Sequence, residues 1–223
     1  MSEVKIIELK QSVFENNNKR ADMLREELKG KGTFLLNVMS SPGSGKTTTL
    51  VNTINRLKDE MKIAVMEADI DSDKDARTVA DETGVKSIQL HTGGMCHLDA
   101  EMTRQGVEEL KDGFDLVILE NVGNLVCPAE FDTGAVKSIT ILSVPEGDDK
   151  PLKYPLMYEV SDLVLVNKID VMPYFDFDMS KAKEYVSKRN ANAQVIPISA
   201  KTGEGVEDFA NWLREEVQSW QKN

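Results

Sequence analysis

The chain has 223 residues, a length that suits one well-buried α/β domain with a helical extension and is short for two domains. Its 38 acidic and 27 basic residues give a formal charge of -11, which offers no general attraction to nucleic acid phosphates. No apolar run approaches the ~18 residues of a membrane span, and the N-terminus lacks a signal-like apolar segment. We therefore expect no nucleic acid partner and no membrane partner. The two cysteines, Cys96 and Cys127, suit a reducing compartment and predict a cytoplasmic protein.

The apolar pattern alternates between helices and buried strands along the chain. Residues 4–30 carry apolar side chains near helical spacing and end in glycines, which predicts one or two helices before the first strand. Later helices are predicted at 46–60, before Gly84, and at 98–110, 179–189 and 206–220. Seven buried-type strands are predicted, the first starting at Thr33 and the others at 62–68, 86–91, 115–120, 138–144, 162–166 and 194–199.

Strands separated mostly by helices predict right-handed βαβ units, and hence a mainly parallel central sheet of about seven strands with helices on both faces. The fold class is therefore a three-layer α/β fold, preceded by an N-terminal helical extension over residues 1–32. Ligands in such folds bind at the carboxyl ends of the strands. Because the polar motifs of this chain follow strands, we expect them to share one edge of the sheet.

The stretch 33–49 combines a short apolar strand, a Gly-rich turn and the start of a helix. It predicts a phosphate-binding loop, because successive backbone N–H groups and the helix N-terminus can face one anion. Lys46 is predicted to neutralise phosphate charge, and Thr47 to offer its hydroxyl to Mg2+. Ser40 stands where the usual first glycine falls, so the motif is a variant, and a flexible Gly-Ser linker is the alternative. The candidate phosphate-binding residues are Gly43, Ser44, Gly45, Lys46, Thr47 and Thr48.

The tetrapeptide Asn-Lys-Ile-Asp at 167–170 follows a buried strand and predicts a guanine site. The Asp170 carboxylate can accept from the N1–H and the 2-amino group of guanine, whereas adenine would leave it unpaired. Residues 199–201, Ser-Ala-Lys, follow the last strand and can direct backbone N–H groups to the base oxygen. The predicted nucleotide is GTP, and an exposed turn with a capping aspartate is the alternative. The candidate base-binding residues are Asn167, Lys168, Asp170, Ser199, Ala200 and Lys201.

The segment Glu-Asn-Val-Gly at 120–123 ends the strand that we expect beside the phosphate loop. Many small GTPases have Asp-x-x-Gly there, followed by a glutamine that orients the attacking water, but Asn124 follows here. Slow intrinsic hydrolysis is therefore expected. Acidic residues after the second strand are candidates to orient water or Mg2+, although a solvated helix start is the alternative: Asp69, Asp71, Asp73 and Asp75, with Asp69 and Asp75 favoured. The predicted catalytic residues are Lys46, Asp69, Asp75 and Glu120, and the predicted Mg2+ ligands are Thr47, Asp69 and Glu120.

Thiol and imidazole side chains occur at two places that follow strands. Cys96 and His97 lie in a predicted turn before a helix, and Cys127 follows Glu120 by seven residues. Such ligands favour Zn2+ and, with rearranged geometry, Ni2+. Three ligands leave a position open or combine with the same three of a twofold-related copy. The alternative is two small buried cysteines and a capping histidine. His91, in a strand, is interpreted as structural or peripheral.

Taken together, these motifs resemble the HypB family of hydrogenase nickel-incorporation GTPases, from about residue 33 to the C-terminus. The stretches that carry the resemblance are Pro-Gly-Ser-Gly-Lys-Thr (42–47), Thr-Gly-x-x-Cys-His-Leu-Asp-Ala (92–100), Glu-Asn-Val-Gly-Asn-Leu-Val-Cys-Pro-Ala-Glu-Phe-Asp (120–132), Glu-Gly-Asp-Asp-Lys-Pro (146–151) and Asn-Lys-Ile-Asp (167–170). The resemblance implies a P-loop GTPase domain of the SIMIBI class over residues 33–223. It also implies a homodimer that forms on GTP binding and delivers Ni2+ to the nickel-iron hydrogenase large subunit, with a HypA-type nickel chaperone as a partner.

By the same resemblance, Cys96, His97 and Cys127 form an interfacial Ni or Zn site, and Asp69 and Asp75 match acidic positions near Mg2+ and the attacking water. The N-terminal Cys-rich motif and His-rich tract of some members are absent, so high-capacity nickel storage and a second tight N-terminal site are not expected. Ser41 replaces the lysine that many SIMIBI relatives carry in the phosphate loop. Lys150 or Lys153 is the candidate to reach the partner's nucleotide instead.

Two other functions stay open on the sequence. One is a related accessory GTPase for urease or a cobalamin enzyme, although the Cys-Pro-His motif expected of the urease type is absent. The other is a dimeric GTP-binding protein whose zinc site is purely structural.

Overall fold

The structure, a computed structural model, describes residues 9–69, 74–111 and 113–222. Within them the strands are β1 (Phe34–Ser40), β2 (Ile63–Asp69), β3 (Lys86–His91), β4 (Leu116–Glu120), β5 (Lys137–Ser143), β6 (Leu163–Asn167) and β7 (Gln194–Pro197). The helices are α1 (Leu9–Lys31), α2 (Lys46–Leu57), α3 (Lys74–Thr83), α4 (Ala100–Leu110), α5 (Cys127–Glu130), α6 (Lys150–Lys153), α7 (Pro155–Glu159), α8 (Met179–Arg189) and α9 (Val206–Lys222). Short 3-10 turns cover Val144–Glu146 and Ile169–Tyr174.

The strands form one seven-stranded sheet in the order β3-β2-β4-β1-β5-β6-β7, and each described neighbouring pair is parallel. The predicted α/β fold with a parallel central sheet is therefore confirmed. Strand β4 lies directly beside β1, as expected for the strand that ends in Glu120. Every residue of β1 and β4 is buried, because helices cover both faces of the sheet.

Helices pack on both faces and give the three layers. Helices α2, α3 and α9 cover one face, where Ile54, Val79 and Phe209 join the core with alternate residues of the strands. On the other face, α1 and α4 cover the β2–β4 half, and α5, α7 and α8 cover the β5–β6 half. The carboxyl ends of all strands consequently meet at one edge, from which the connecting loops emerge.

The N-terminal helix α1 is continuous from Leu9 to Lys31, and residues 1–8 of the predicted helical stretch lie outside the described residues. Gly30 lies inside the helix, and Gly32 ends it with φ +67°. The Gly32 and Thr33 N–H groups bond back to Lys29 and Leu28 carbonyls, the Schellman arrangement that glycine permits. The side chains of Leu24 and Leu28 are buried against β1 and α4. The division at residue 32 stays a prediction, but α1 packs on the sheet.

Several element boundaries differ from the prediction. Helix α2 ends at Leu57 rather than residue 60, and α4 begins at Ala100 because the Asp99 side chain caps it by accepting from the Met102 N–H at 2.8 Å. The segment after the sixth strand, predicted as a loop, contains the 3-10 turn Ile169–Tyr174. Helices α5, α6 and α7 were not predicted, since four or five residues are too short to show helical periodicity. Within the described part of the chain, no helix has the length and apolarity needed to cross a bilayer.

Candidate functional site

The predicted nucleotide motifs converge at the carboxyl edge of the sheet, around a cavity of about 410 Å³. A volume of that size falls within the range of ligand pockets. The cavity is lined by Pro42, Gly43, Gly45, Lys46, Thr47, Thr48, Asp69, Asp75, Glu120, Val122 and Gly123. The phosphate loop, the acidic residues after β2 and the 120–123 segment therefore face one space, although they are far apart in the chain.

The phosphate loop runs from the end of β1 to the start of α2. Gly45 has φ +96°, and a Cβ atom there would lie 2.5 Å from Asn167 Nδ2, so only glycine fits this position. No side chain caps the N-terminus of α2, which leaves its first N–H groups directed at the cavity. Ser40, at the place of the usual first glycine, is fully buried and accepts from Lys46 Nζ at 2.9 Å. The serine thus holds Lys46, the lysine that the sequence assigns to phosphate.

Glu120 at the end of β4 is one half of a buried acid pair. Its partner is Glu67, which lies opposite it in register on β2, and the two residues are 3% and 2% exposed. Burial and the neighbouring Glu120 raise the pKa of Glu67 to about 11, which favours its neutral form at physiological pH. Burial also raises the pKa of Glu120, opposed by hydrogen bonding from Glu67 and by the charge of Lys46.

Glu67 is a site residue that the sequence reasoning missed. The signal was an acidic residue inside an otherwise apolar strand, which is costly to bury without a partner. Thr47 Oγ1 donates to Glu120 Oε1 at 3.2 Å, so two of the predicted Mg2+ ligands lie side by side. Apart from the contact between the two acids, Glu67 Oε1 and Glu120 Oε2 have no hydrogen-bond partner among the described residues. The Glu120 carboxylate beside Thr47 offers the hard oxygen donors that Mg2+ prefers.

Two of the four candidate acidic residues line the cavity. Asp69 ends β2 and Asp75 lies in the first turn of α3, and both line the cavity. The negative charge of Asp75 contributes to the raised pKa values of the buried acid pair, which places it near that pair. Asp71 and Asp73 lie outside the described residues.

The predicted guanine motif is bonded to the phosphate loop itself. Asn167 Nδ2 donates to the Ser44 carbonyl at 2.9 Å, and Lys168 Nζ donates to the Gly43 carbonyl at 2.7 Å. Asn167 is 1% exposed at the end of β6, so its amide is fixed by the sheet. The base side and the phosphate side of the site are therefore built as one unit.

The second base-binding segment closes on the first. The Ala200 N–H donates to Asn167 Oδ1 at 3.0 Å, and Ser199 Oγ donates to Asp170 Oδ1 at 2.7 Å. Ser199 is fully buried and orients the Asp170 carboxylate, whereas Lys201 is exposed at the end of the segment. The structure thus brings together the six residues that the sequence assigned to the base.

Cys96 and His97 lie on the loop that leaves β3, and Cys127 begins α5, after the loop that leaves β4. Cys96 Sγ is 4.0 Å from His97 Nδ1. The neighbouring Cys96 thiol and burial raise the pKa of Cys127. Burial lowers the pKa of His97, opposed by Asp99 and Glu130, which favours the neutral imidazole that binds metals.

The three donors approach one another without forming a complete site. Among the described residues, no group of three or more His, Cys, Asp or Glu side chains is arranged to hold a metal ion within one chain. Both cysteines are free and half-buried. Thiol and imidazole side chains have the chemistry that suits Ni2+ or Zn2+. His91 lies at the exposed end of β3 and pairs in register with Asp69.

One short segment joins the nucleotide cavity to the donors. It begins at Glu120 in the cavity, packs Gly123 against Pro42 of the phosphate loop, and ends at Cys127. Asn124 Oδ1 accepts from the Cys127 N–H at 3.2 Å, and Asn124 Nδ2 contacts Cys127 Sγ at 3.7 Å. The residue at the place of a water-orienting glutamine therefore supports the cysteine turn.

The loop after β5 also touches the phosphate loop. Ser41 Oγ donates to Glu146, which in turn accepts from the Ser143 N–H at 2.8 Å. Lys153 pairs with Asp149 at 2.5 Å, and Lys150 lies over the ring of Tyr154 at 5.4 Å. Both lysines are thus placed on a segment anchored at the nucleotide site, and a role across a dimer stays a prediction.

A parallel sheet with a glycine-rich loop between β1 and α2, an uncapped helix N-terminus and a guanine-type motif defines a P-loop nucleotide-binding protein. The family model described as CobW/HypB/UreG, nucleotide-binding domain, matches residues 34–197. The chain therefore belongs to the CobW/HypB/UreG family, and within it to the HypB hydrogenase maturation factors.

Individual relatives agree with that assignment. The hydrogenase maturation factor HypB of Rhizobium leguminosarum bv. viciae is 44% identical over 214 residues, which cover 96% of this chain and 71% of the relative. The hydrogenase/urease maturation factor HypB of Helicobacter pylori strain 26695 is 41% identical over 218 residues, covering 96% of this chain and 88% of the relative. The crystal structure of HypB from Helicobacter pylori in complex with nickel matches with a TM-score of 0.86 and 41% identity, covering 92% of this chain and 96% of that chain.

Proposed function

We propose that this protein is a GTP-hydrolysing nickel metallochaperone, which dimerises on GTP binding and delivers nickel to the large subunit of a nickel-iron hydrogenase. The observation that carries the proposal is the continuity of the 120–127 segment, which has Glu120 in the nucleotide cavity and Cys127 among the metal donors. A change at the phosphates that shifts Glu120 or Gly123 is transmitted over a few residues to Cys127. A HypA-type nickel chaperone is the proposed supplier of the ion.

In the nucleotide site, Lys46 and the N–H groups at the start of α2 bind the phosphates, and Asp170 selects guanine. Thr47, Asp69 and Glu120 are the proposed ligands of Mg2+, which when bound neutralises charge on the β- and γ-phosphates. The neutral Glu67 holds Glu120 in place by donating to it. Asp75 faces the same cavity and is the proposed residue that orients the attacking water.

In the metal site, nickel is cargo, held by thiolate and imidazole donors. The half-site of Cys96, His97 and Cys127 is completed by the same residues of a second copy, so that dimerisation strengthens binding and dissociation releases the ion. Both cysteines are free, a state that the reducing cytoplasm preserves, and we place the protein there.

Sedimentation velocity with GDP or a non-hydrolysable GTP analogue, each with and without Ni2+, tests this function. We expect a dimer with the GTP analogue that binds one nickel ion between its two half-sites, and mostly monomer with GDP. A monomer in all four conditions would contradict the proposal. Zinc that resists chelation in every nucleotide state would instead favour a purely structural metal site.

The Helicobacter pylori relative, whose name includes urease maturation, supports a second candidate function: nickel delivery to urease. Both functions use the same site and differ in the recipient enzyme. Expression in strains that lack their own maturation GTPase separates them. Recovery of hydrogenase activity is expected, and recovery of urease activity alone would favour the second candidate.

A further inference from the structure

The ring of His97 lies against an aromatic side chain from the other donor segment. Phe131, just after α5, stacks on the His97 imidazole with ring centroids 3.8 Å apart and planes inclined by 7°. Phe14 of α1 packs against Phe131, with ring centroids 5.0 Å apart and ring planes inclined by 41°. The Phe131 ring therefore lies between α1 and His97 and contacts both.

A buried asparagine of the same helix joins the two donor segments directly. Asn17 Oδ1 accepts from the Ala100 N–H at 2.9 Å, in the first turn after His97. Asn17 Nδ2 donates to the Asp132 carbonyl at 2.8 Å, in the stretch that follows Cys127. Asn17 is 6% exposed, so losing either contact leaves a buried polar group unpaired.

Arg25, two turns further along α1, holds the same stretch at a second point. Its Nε donates to the Ala135 carbonyl at 2.9 Å, and its guanidinium also pairs with the Asp132 carboxylate. Asp132 in addition accepts from the Gly134 N–H at 2.9 Å. The backbone that directly follows Phe131 is therefore held to α1 at Asp132 and at Ala135.

We propose that Asn17 and Phe131 are positioning residues for the metal donors: they set the plane of the His97 ring and the spacing between the Cys96–His97 turn and Cys127. The inference rests on the proposed metal-binding function. Stacking covers the face of the imidazole and leaves its edge nitrogens free, so it orients the ligand without blocking it. Groups that orient a ligand typically change metal affinity by about 10- to 100-fold when removed.

The chain offers a matched control, because Asn16, Asn17 and Asn18 are consecutive on α1 and only Asn17 is buried. Replacing Asn16 or Asn18 by alanine changes helix propensity as much as Asn17→Ala does. We expect Asn17→Ala to weaken Ni2+ binding by about 10-fold and to alter the thiolate-to-nickel absorption bands. Asn16→Ala and Asn18→Ala are expected to match wild type, and a fluorescent guanine nucleotide is expected to bind all four proteins equally.

Phe131→Leu and Phe131→Tyr test the stacking separately. They also replace Asn17→Ala as the test if that variant does not fold. Tyrosine keeps the aromatic face, so we expect it to retain the wild-type affinity and spectrum that Phe131→Leu loses. The positioning inference would be overturned if Asn17→Ala and Phe131→Leu both kept wild-type nickel affinity and spectrum while Cys127→Ala lost binding. The metal assignment would then stand. Nickel binding that Cys127→Ala leaves unchanged would overturn the metal assignment and this inference with it.

Discussion

The nucleotide site and the metal donors are built in opposite ways, although one segment connects them. Around the phosphate loop, Asn167 and Ser44 are at most 1% exposed and are bonded to each other across the site. At the donors, Cys96 and Cys127 are half-buried, and the described residues of one chain do not complete a metal site. A preformed nucleotide site suits a ligand that binds in every round of the reaction cycle. The proposed open half-site suits an ion that must be taken up and given away.

The largest effect is expected from removing the charge at the centre of the preformed site. Lys46→Ala leaves the γ-phosphate without its cation and is expected to lower GTP turnover by about 100- to 1,000-fold. Lys183→Ala, on the exposed surface of α8, is the matched control and should turn over GTP normally. Single-turnover GTP hydrolysis measures both, and normal turnover in Lys46→Ala would refute the enzyme assignment.

The next effect concerns the base. Asp170→Asn removes the carboxylate that Ser199 orients, and we expect guanine nucleotide affinity to fall by roughly 100-fold. Xanthine has an oxygen where guanine has its 2-amino group, so the new amide can donate to it, and xanthine nucleotides should bind the variant better than guanine nucleotides do. Competition binding measures the ratio. An unchanged preference for guanine would show that Asp170 does not read the base.

A smaller effect should separate the two buried acids. Glu120→Gln removes the charged ligand, and we expect the Mg2+ concentration needed for tight nucleotide binding to rise at least about 10-fold. Glu67→Gln keeps a neutral donor toward Glu120, so it should stay near wild type. Nucleotide binding across a Mg2+ titration gives both values. The reverse ranking would mean that Glu67 carries the charge.

The smallest effect compares two helix caps, one beside the metal donors and one far from them. Asp99 caps α4, and Asp178 caps α8 by accepting from Ser180 and Lys181 N–H groups. Alanine at either position should lower the free energy of unfolding by about 1 kcal/mol, measured by urea denaturation. Only Asp99→Ala should also weaken nickel binding, because Asp99 follows His97 closely. Equal nickel affinity in both variants would show that the start of α4 does not position the donors.

The parts of the molecule that sequence could predict are those with local signals. The apolar run 116–119 predicts β4, and the glycines and lysine at 43–46 predict the loop that lines one end of the cavity. Two short motifs predict the residues for the base, and the structure joins these motifs through the bond between Ala200 and Asn167.

The parts that sequence could not predict depend on distant pairs. Glu67 acquires its role only because β2 and β4 pair in one register, which puts it opposite Glu120. Asn17 lies 115 positions from Asp132 along the chain, and nothing in the local pattern of α1 distinguishes it from Asn16 or Asn18. Short helices such as α5 were missed because four residues carry no periodicity.

In the proposed function, the nucleotide state controls the metal half-site through the 120–127 segment and the dimer. The most direct test is the Ni2+ affinity of wild type and Cys127→Ala, each with GDP and with a non-hydrolysable GTP analogue. We expect wild type to bind nickel more tightly with the GTP analogue by about 5- to 150-fold, a coupling of ~1–3 kcal/mol. Cys127→Ala should bind weakly and equally in both states. Equal affinities in all four measurements would contradict the coupling.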